Sequence, residues 1–404
     1  MSRFLGLASG ETELALRATP DVQRIEIHRD GEKIATMTEP PWKARVDLGK
    51  ELGPYALSAI GFGADGTEVA RDSQTVNLAR PVAEAGIVLE RSEGILSARV
   101  LSTHVLGAQP ASIVVKLDGK VLKRSATLAP VPLGKITDKS IHVVSVEIDY
   151  ADGSAAKKEI VFGGIFSETT PVELTAIPVR QLREGRKTDP PCLQVNDSLL
   201  APVAVERAEA VVSFVVNGHA GISLNRGDEQ RFVVPGIKFR VISPVMRDAG
   251  GVETFPGLLV AGELGTRALL AGLRPQVGIH RFAAAVATTA FTALRGDHRR
   301  AVVYVLGDRE IRDDSTVSPA AVRRYLQRVG VPLHVWSVTG PRPDLAESWG
   351  PVRDISSALL LQGATVQLTR ELSTQRIAWL PVAPLDAYRA QATADCAYVP
   401  LSVP

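Results

Sequence analysis

Short stretches of alternating apolar and polar residues dominate the first 165 positions of the chain. Residues 24–34 and 112–122 share one alternating pattern broken by Asp-Gly, and residues 55–66 and 141–153 share a second. Alternation with a period of two predicts half-buried β-strands, and Asp-Gly between two such runs predicts a hairpin turn. The matched Asp-Gly turns are 88 residues apart (30 to 118) and 87 residues apart (65 to 152). So constant a spacing predicts two tandem copies of one β-sandwich unit of about 80–90 residues.

From residue 207 onward the pattern changes to strands that alternate with helix-length segments. Residues 210–216 and 301–306 are continuous apolar runs, which is typical of central parallel strands that are covered on both faces. Residues 280–294 have the length and composition of a helix and stop at Gly296. This alternation predicts an α/β domain with a mostly parallel sheet.

A second helix is marked at both ends. Ser318 is a natural N-cap, Pro319 fits the first turn, and Gly330 fits the position after the last turn. A strand at 332–338 follows, and residues 356–372 predict a final helix before a short extended stretch.

These patterns divide the chain into five segments. Residues 1–82 and 83–165 are the two sandwiches, and residues 166–206 are a β-rich connecting unit too short for a core of its own. Residues 207–345 are the α/β domain. Residues 346–404 are predicted to form a C-terminal helix and an extended segment that pack on that domain.

Composition supports a multidomain globular protein and excludes several classes. The chain has 404 residues, 45% hydrophobic and 22% charged, which fits neither disorder nor a fibre. Its 46 basic and 44 acidic residues leave a net charge of +2, and no basic face is clustered for nucleic acid. No apolar run approaches the roughly 18 residues of a membrane helix. The start of the sequence lacks the pattern of a secretory signal, so we expect the chain to stay inside the cell.

The cysteines and the catalytic motifs add little. Cys192 and Cys396 lie 204 positions apart without a CxxC pair, so we expect two buried free thiols. No GxSxG, HExxH or GxxxxGK[ST] motif is found, and the seven histidines are dispersed. Asp313-Asp314 is predicted to be a solvated loop before the capped helix. The sequence therefore gives no indication of an enzyme.

The order of elements in the second half resembles a von Willebrand factor A-type domain. The resemblance is carried by strand 210–216, helix 280–294, Arg299-Arg300 before strand 301–306, and the capped helix that leads into strand 331–338. The chain is similar, more narrowly, to bacterial von Willebrand factor A-related proteins, and residues 371–380 look like the C-terminal end of that group. This resemblance implies two tandem immunoglobulin-like sandwiches followed by a Rossmann-like A-type domain. The group usually carries a secretory signal and works outside the cytoplasm, so the compartment stays open.

The resemblance also implies where a metal site would lie. A-type domains bind Mg²⁺ through Asp-x-Ser-x-Ser after the first strand, together with a Thr and an Asp from later loops, because Mg²⁺ requires octahedral oxygen ligands. The corresponding positions here are Asn217, His219 and Gly221, then His280 for the Thr, and Gly307 for the Asp, with Asp308 displaced by one. Since the first carboxylate and both hydroxyls are gone, we expect a degenerate site without metal or cofactor.

We therefore expect a non-catalytic protein that binds a protein partner or acts as a scaffold, with no nucleic acid and no membrane-spanning segment. The carboxyl edge of an open α/β sheet is where ligands bind. The candidate binding residues are the rim of the former site, with no catalytic role for any of them: Asn217, Gly218, His219, Gly221, His280 and Asp308.

Two alternatives stay open. His219, His280 and Asp308 offer two imidazoles and a carboxylate, which suit Zn²⁺, Ni²⁺ or Fe²⁺ and would fit a transition-metal-binding or metal-dependent hydrolytic protein. The sandwiches could instead bind carbohydrate or serve in surface adhesion through exposed aromatic side chains. The first sandwich has Trp42, Tyr55 and Phe62, for which core packing is the better interpretation.

Overall fold

The computed structural model describes residues 1, 4, 6–79, 83–92, 95–104, 108–134, 136, 140–164, 174–183, 191–217, 237–246, 257–260, 278–295, 297–307 and 312–402. The chain forms two compact units. The first comprises Met1–Ala79, Ala176–Ala378 and Leu385–Pro404, and the second comprises Arg80–Thr175 and Trp379–Pro384. The boundaries of the five segments stay predictions.

A β-sandwich forms the N-terminal part of the first unit. Its strands are β1 (Glu11–Ala15), β2 (Arg24–Arg29), β3 (Glu32–Met37), β4 (Lys43–Asp47), β5 (Tyr55–Phe62) and β6 (Glu68–Val76). β1 pairs with β4, and the other sheet has the antiparallel order β3-β2-β5-β6. Asp30 and Gly31 have φ of 47° and 88°, the left-handed backbone that a tight hairpin requires and that Asp-Gly allows. Leu14, Ile27 and Leu57 lie in the core between the sheets.

A second β-sandwich forms most of the second unit. Its strands are β7 (Ala83–Ser92), β8 (Ile95–His104), β9 (Pro110–Leu117), β10 (Lys120–Ser125), β11 (Val131–Pro132), β12 (His142–Tyr150) and β13 (Ala155–Phe162). One sheet has the order β11-β8-β7, and the other has the order β10-β9-β12-β13, the same arrangement as β3-β2-β5-β6. The hairpin at Asp118-Gly119 again has positive φ, 48° and 80°. The predicted sandwich fold is confirmed.

The remaining strands up to the last long helix come from the connecting segment and the α/β part. They are β14 (Thr175–Gln181), β15 (Leu193–Val195), β16 (Ser198–Leu200), β17 (Ala204–Glu206), β18 (Ala210–Val216), β19 (Ile237–Ile242), β20 (Val245–Met246), β21 (Gly257–Val260), β22 (Ile279–His280), β23 (Arg299–Leu306), β24 (Leu333–Ser337) and β25 (Val352–Asp354). The central sheet has the order β21-β19-β18-β23-β24-β25. Every pair in it is parallel except β19 with β21, so the predicted mostly parallel sheet is confirmed.

Helices cover both faces of this sheet. They are α1 (Phe282–Ala293), α2 (Pro319–Arg328), α3 (Ala346–Trp349), α4 (Ala358–Thr374) and α5 (Pro384–Tyr388), with a 3-10 turn at Pro343–Leu345. β23 is buried along its whole length. Val303 packs in one cluster with Leu361 and Leu368 of α4, whereas Tyr304 faces Phe282 of α1, with ring centres 5.9 Å apart. A strand covered on both faces needs a continuous apolar run, and this is the signal that the sequence contained.

The C-terminal strands pair with the connecting segment. β26 (Gln375–Leu380), β27 (Gln391–Ala392) and β28 (Tyr398–Pro400) complete two small sheets, with orders β17-β26-β14-β28 and β16-β15-β27. No helix in the described residues has the length and apolar character to cross a membrane.

The expectation of two free thiols is wrong. Cys192 and Cys396 form a disulfide, with Cα atoms 5.3 Å apart. β15 begins one residue after Cys192, and its pairing with β27 brings the C-terminal stretch beside it. Two cysteines separated by 204 residues carry no local signal of pairing, because only this sheet makes them neighbours.

Candidate functional site

The carboxyl ends of β18, β23, β24 and β25 lie at one edge of the central sheet, which is the predicted location of the site. Asn217 follows β18, and His280 ends β22 just before α1. Gly218, His219, Gly221 and Asp308 lie outside the described residues. Within the described residues, no group of three or more His, Cys, Asp or Glu side chains is placed to hold a metal ion.

Asn217 is built into the edge of the sheet. It is 4% exposed, and its backbone N–H donates to the carbonyl of Val305 at 3.1 Å. Its side chain fills the space beside Gly307, where a Cβ would lie only 2.6 Å from Asn217 Nδ2. A residue with a side chain at position 307 would therefore displace Asn217. This close approach accounts for glycine at position 307.

The sequence predicted a helix that begins at His280, but the helix begins at Phe282. It lies in β22, which pairs with β20, and its ring stacks on Phe282 with centres 5.6 Å apart. Its carbonyl accepts a hydrogen bond from the backbone N–H of Asp314 at 2.9 Å. Nδ1 of His280 is buried and has no hydrogen-bond partner among the described residues. His280 thus lies at the predicted edge, held by strand pairing and ring stacking.

The amino end of α1 is capped by a neighbouring loop. Arg281 at the N-cap position provides no side-chain cap. The carboxylate of Asp313 accepts from the N–H groups of Phe282 and Ala283 at 3.0 and 3.1 Å, and Ser315 Oγ accepts from the N–H of Ala284 at 3.0 Å. Asp313-Asp314 does form a loop before the capped helix, and Asp314 is exposed as predicted, but the carboxylate of Asp313 is partly buried and bound to α1. Since unpaired N–H groups and the helix dipole make such an end attractive to anions, this cap removes it as a ligand site.

An aromatic cluster lies behind this cap. The ring of Tyr304 contacts those of Phe282 and Trp349, with centres 5.9 and 4.8 Å apart. Burial raises the pKa of Tyr304 far above its usual range, and the nearby carboxylate of Asp313 raises it further. The phenol therefore stays protonated, as a packing residue rather than a base.

The first turns of α4 expose an apolar stripe at the same edge. α4 follows β25, so its amino end lies where the parallel strands end, and Ser357 Oγ caps it through the N–H of Leu360 at 3.3 Å. Leu361, Leu368 and Leu372 of α4 pack in the core. The outward side chains of Leu359, Leu360 and Val366 are 75%, 42% and 53% exposed, and a Cβ on Gly363 between them would meet nothing within 4 Å. We call Leu359, Leu360, Gly363 and Val366 the α4 stripe.

Sequence reasoning missed the α4 stripe and the cap on α1. The stripe has a visible signal, because 359, 363 and 366 are spaced at i, i+4 and i+7 beside a second apolar face of the same predicted helix. The cap on α1 has no such signal in the sequence, because its donor and acceptor residues are about 30 positions apart and belong to different elements.

The aromatic residues weighed for sugar binding are accounted for by packing. Tyr55 lies in the core of the first sandwich, and Trp42 packs against that core. The guanidinium of Arg24 covers the ring of Phe62 at 4.5 Å.

Comparisons with known proteins leave the family open. No family model and no curated protein matches the chain. Among solved structures, it is similar to fibronectin(III)-like modules of CbhA from Clostridium thermocellum, with 15% identity over 39% of this chain and 87% of that chain and a TM-score of 0.17. It is also similar to proximal thread matrix protein 1 from the mussel byssus, with 14% identity over 44% and 49% of the two chains and a TM-score of 0.29. The central fibronectin-III array of RIM-binding protein gives 10% identity over 42% and 70% and a TM-score of 0.24.

Similarities of this size carry no argument about function. The chain is mostly β, with two β-sandwiches and a separate mostly parallel sheet. The resemblance of its α/β part to an A-type domain stays a prediction.

Proposed function

We propose that the chain is a non-catalytic protein-binding or scaffold protein, with immunoglobulin-like sandwiches and an A-type α/β domain whose metal-ion-dependent adhesion site is degenerate. The α4 stripe is the observation that carries this proposal. Exposed leucine and valine side chains clustered on one helix face are costly in water unless a partner covers them, and such patches mark interaction sites. Among the predicted rim residues, Asn217 and His280 lie within the described residues, at the same edge of the sheet as the amino end of α4.

The described contacts at the edge support binding without a bridging cation. The amino end of α1 is satisfied by Asp313 and Ser315, and Asn217 is packed against Gly307. These groups are engaged within the chain, so a partner would bind through apolar contact with the α4 stripe. A loop or helix with apolar side chains fits that surface.

A transition-metal function is the second candidate, and one observation favours it. Nδ1 of His280 is buried without a hydrogen-bond partner in the part of the chain that the structure describes. Neutral imidazole nitrogen is a common ligand of Zn²⁺ and Ni²⁺. His219 and Asp308 would supply the other ligands, and in a metal-dependent hydrolase the ion would activate water.

A thermal-shift titration of the full chain separates the two candidates. A ligand of the folded state at about 100 times its Kd adds roughly 2.7 kcal/mol of stability. Protein binding at a degenerate site predicts no shift with Mg²⁺, Mn²⁺, Ni²⁺ or Zn²⁺. A Zn²⁺ or Ni²⁺ shift that His280→Ala abolishes would support the metal candidate instead, and a Mg²⁺ shift would overturn the degenerate site.

Partner binding is tested on the α4 stripe itself. We expect Leu359→Asp with Val366→Asp to weaken capture of the natural partner by at least about 10-fold, because two apolar contacts are replaced by charges. Quantitative cross-linking with mass spectrometry measures this. Val69→Asp in β6 is the matched control, since Val69 is also exposed but lies in the first sandwich. Equal loss in both variants, or no loss in either, would contradict the proposal.

The disulfide bears on where the protein would work. Disulfides persist in oxidising compartments and are rare in a reducing cytosol. The pair Cys192–Cys396 therefore supports an extracytoplasmic location, as in the group that the sequence resembles.

A further inference from the structure

A cleft of about 520 Å³ lies within the first unit, between the first sandwich and the segments that carry β15, β27 and α5. Its volume is in the range of small-molecule sites, about 300–1,000 Å³. Neither Asn217 nor His280 lines it. The cleft is thus separate from the surface proposed above for protein binding.

Positive charge dominates the wall of the cleft. Arg29, Arg328 and Arg389 line it, together with Asp30. Arg389 Nη2 lies 3.2 Å from Asp30 Oδ1, and Arg328 Nη1 lies 3.8 Å from Glu51 Oε2 just outside. Glu51 is shared, because it also pairs with Arg324, whose Nε lies 2.9 Å from Glu51 Oε2. The carboxylates therefore do not neutralise the guanidinium groups, and the net positive charge of the wall favours an anionic ligand.

Arg29 is the guanidinium without a counter-ion. Within the part of the chain that the structure describes, its side chain makes one hydrogen bond, from Nη1 to the carbonyl of Leu48 at 2.8 Å, and no carboxylate lies within ion-pair distance. Its guanidinium lies over the ring of Tyr55, with its central carbon 4.5 Å from the ring centre. Stacking on an aromatic ring fixes the plane of the guanidinium and leaves its remaining N–H groups for an oxyanion.

Tyr55 adds an unused donor. It lines the cleft and is only 1% exposed, and its buried hydroxyl has no hydrogen-bond partner among the described residues. Burial raises the pKa of Tyr55 to about 12, with opposing contributions from Arg29 and Asp30. The hydroxyl therefore keeps its proton at neutral pH and can donate a hydrogen bond. Leaving such a donor unpaired costs free energy that a ligand oxygen would recover.

Side-chain amides complete the wall. Gln194 of β15 and Gln391 of β27 line the cleft opposite the sandwich. Gln194 and Gln391 are aligned as neighbours in the pairing of these strands. Amides donate and accept hydrogen bonds, so they suit the hydroxyl groups of a ligand.

We propose that this cleft binds a small hydroxylated carboxylate, with its carboxylate held by the Arg29 guanidinium and the Tyr55 hydroxyl and its hydroxyl groups by Gln194 and Gln391. A charge-assisted hydrogen bond to a planar guanidinium is among the stronger polar contacts in proteins. We choose a carboxylate because Arg29 is the lining guanidinium without a carboxylate partner in the described residues, and one carboxylate group would pair with it.

The ligand class is tested by titrating the full chain with gluconate, lactate, sorbitol and inorganic phosphate. Saturation-transfer NMR measures the binding of each compound. We expect gluconate to bind more tightly than lactate, which has fewer hydroxyl groups, and sorbitol, its uncharged counterpart, to bind at least about 10-fold more weakly, the size of one charge-assisted hydrogen bond. Phosphate that binds more tightly than gluconate would overturn the choice of carboxylate. Absence of binding by both gluconate and lactate at tens of millimolar, or equal binding of sorbitol, would overturn the site.

Variants test the two donors. Arg29→Gln should lower gluconate affinity about 10-fold or more. Arg24→Gln is the matched control, because Arg24 lies on the same strand and also covers an aromatic ring, that of Phe62. Tyr55→Phe should lower affinity several-fold without lowering the melting temperature of the unliganded chain, since the hydroxyl makes no hydrogen bond within the described structure. Unchanged affinity in Arg29→Gln and Tyr55→Phe, or equal loss in Arg24→Gln, would overturn the assignment.

Discussion

Asp313 shows how one side chain decides what an element can do. Its carboxylate binds two N–H groups at the amino end of α1, and its Oδ1 also accepts from the Ser315 hydroxyl at 2.5 Å. A helix end at the carboxyl edge of a parallel sheet is a common place for ligands, because its N–H groups and dipole attract negative charge. Here the negative charge is provided by the chain itself.

Removal of this carboxylate should destabilise the first unit. We expect Asp313→Ala to cost about 1–3 kcal/mol, because the lost cap leaves N–H groups at a partly buried helix end without acceptors. Urea denaturation followed by circular dichroism measures it. Asp314→Ala is the matched control and should change stability by less than about 0.5 kcal/mol, since Asp314 makes an exposed ion pair with Arg312. Equal effects of the two variants would show that Asp313 does not act as the cap.

At the scale of elements, the sequence was most informative where the signal is local. Ser318 caps α2 as predicted, through the N–H of Ala321 at 3.2 Å, and strand 210–216 has the predicted bounds. Caps and apolar runs depend on neighbouring residues, so one sequence contains them. His280 shows the opposite case, because β22 exists only through β20, some 35 positions earlier.

The candidate site was predictable only in part, for the same reason. The parallel sheet predicts its carboxyl edge, and Asn217 and His280 do lie there, while the other four rim residues fall outside the described ranges. The cap from Asp313, the disulfide and the cleft around Arg29 and Tyr55 join residues that are far apart in sequence. Nothing in their local patterns distinguishes them from an ordinary loop, a free thiol or a core tyrosine.

The disulfide should stabilise the small sheet β16-β15-β27 and the unit that contains it. Its loop of 204 residues removes enough chain entropy from the unfolded state to be worth at most about 5 kcal/mol. We expect the double variant Cys192→Ser and Cys396→Ser to unfold at a lower urea concentration than the native chain. A reductant should lower the midpoint of the native chain and leave that of the double variant unchanged. A native midpoint insensitive to reductant would contradict this.

At the scale of the whole molecule, the first unit joins segments that are distant in sequence. Tyr325 of α2 is fully buried, and its hydroxyl donates to the carbonyl of Asn77, just after the last strand of the first sandwich, at 3.0 Å. Arg324 Nε lies 2.9 Å from Glu51 Oε2 in the same region. Buried polar contact of this kind couples the stability of the sandwich to that of the α/β part.

This coupling predicts which regions respond together to one lost hydroxyl. Tyr325→Phe leaves the buried carbonyl of Asn77 without this donor, so we expect a loss of about 1–2 kcal/mol and roughly 10-fold faster hydrogen exchange in both β5 and β23. Tyr150→Phe is the matched control in the second unit, where the Tyr150 hydroxyl bonds Ser102 Oγ at 2.8 Å, and it should speed exchange in β12 alone. Peptide-resolved exchange measures all three strands at once. If Tyr325→Phe speeds exchange in β23 but not in β5, the sandwich and the α/β part unfold independently, and the first unit is not one cooperative body.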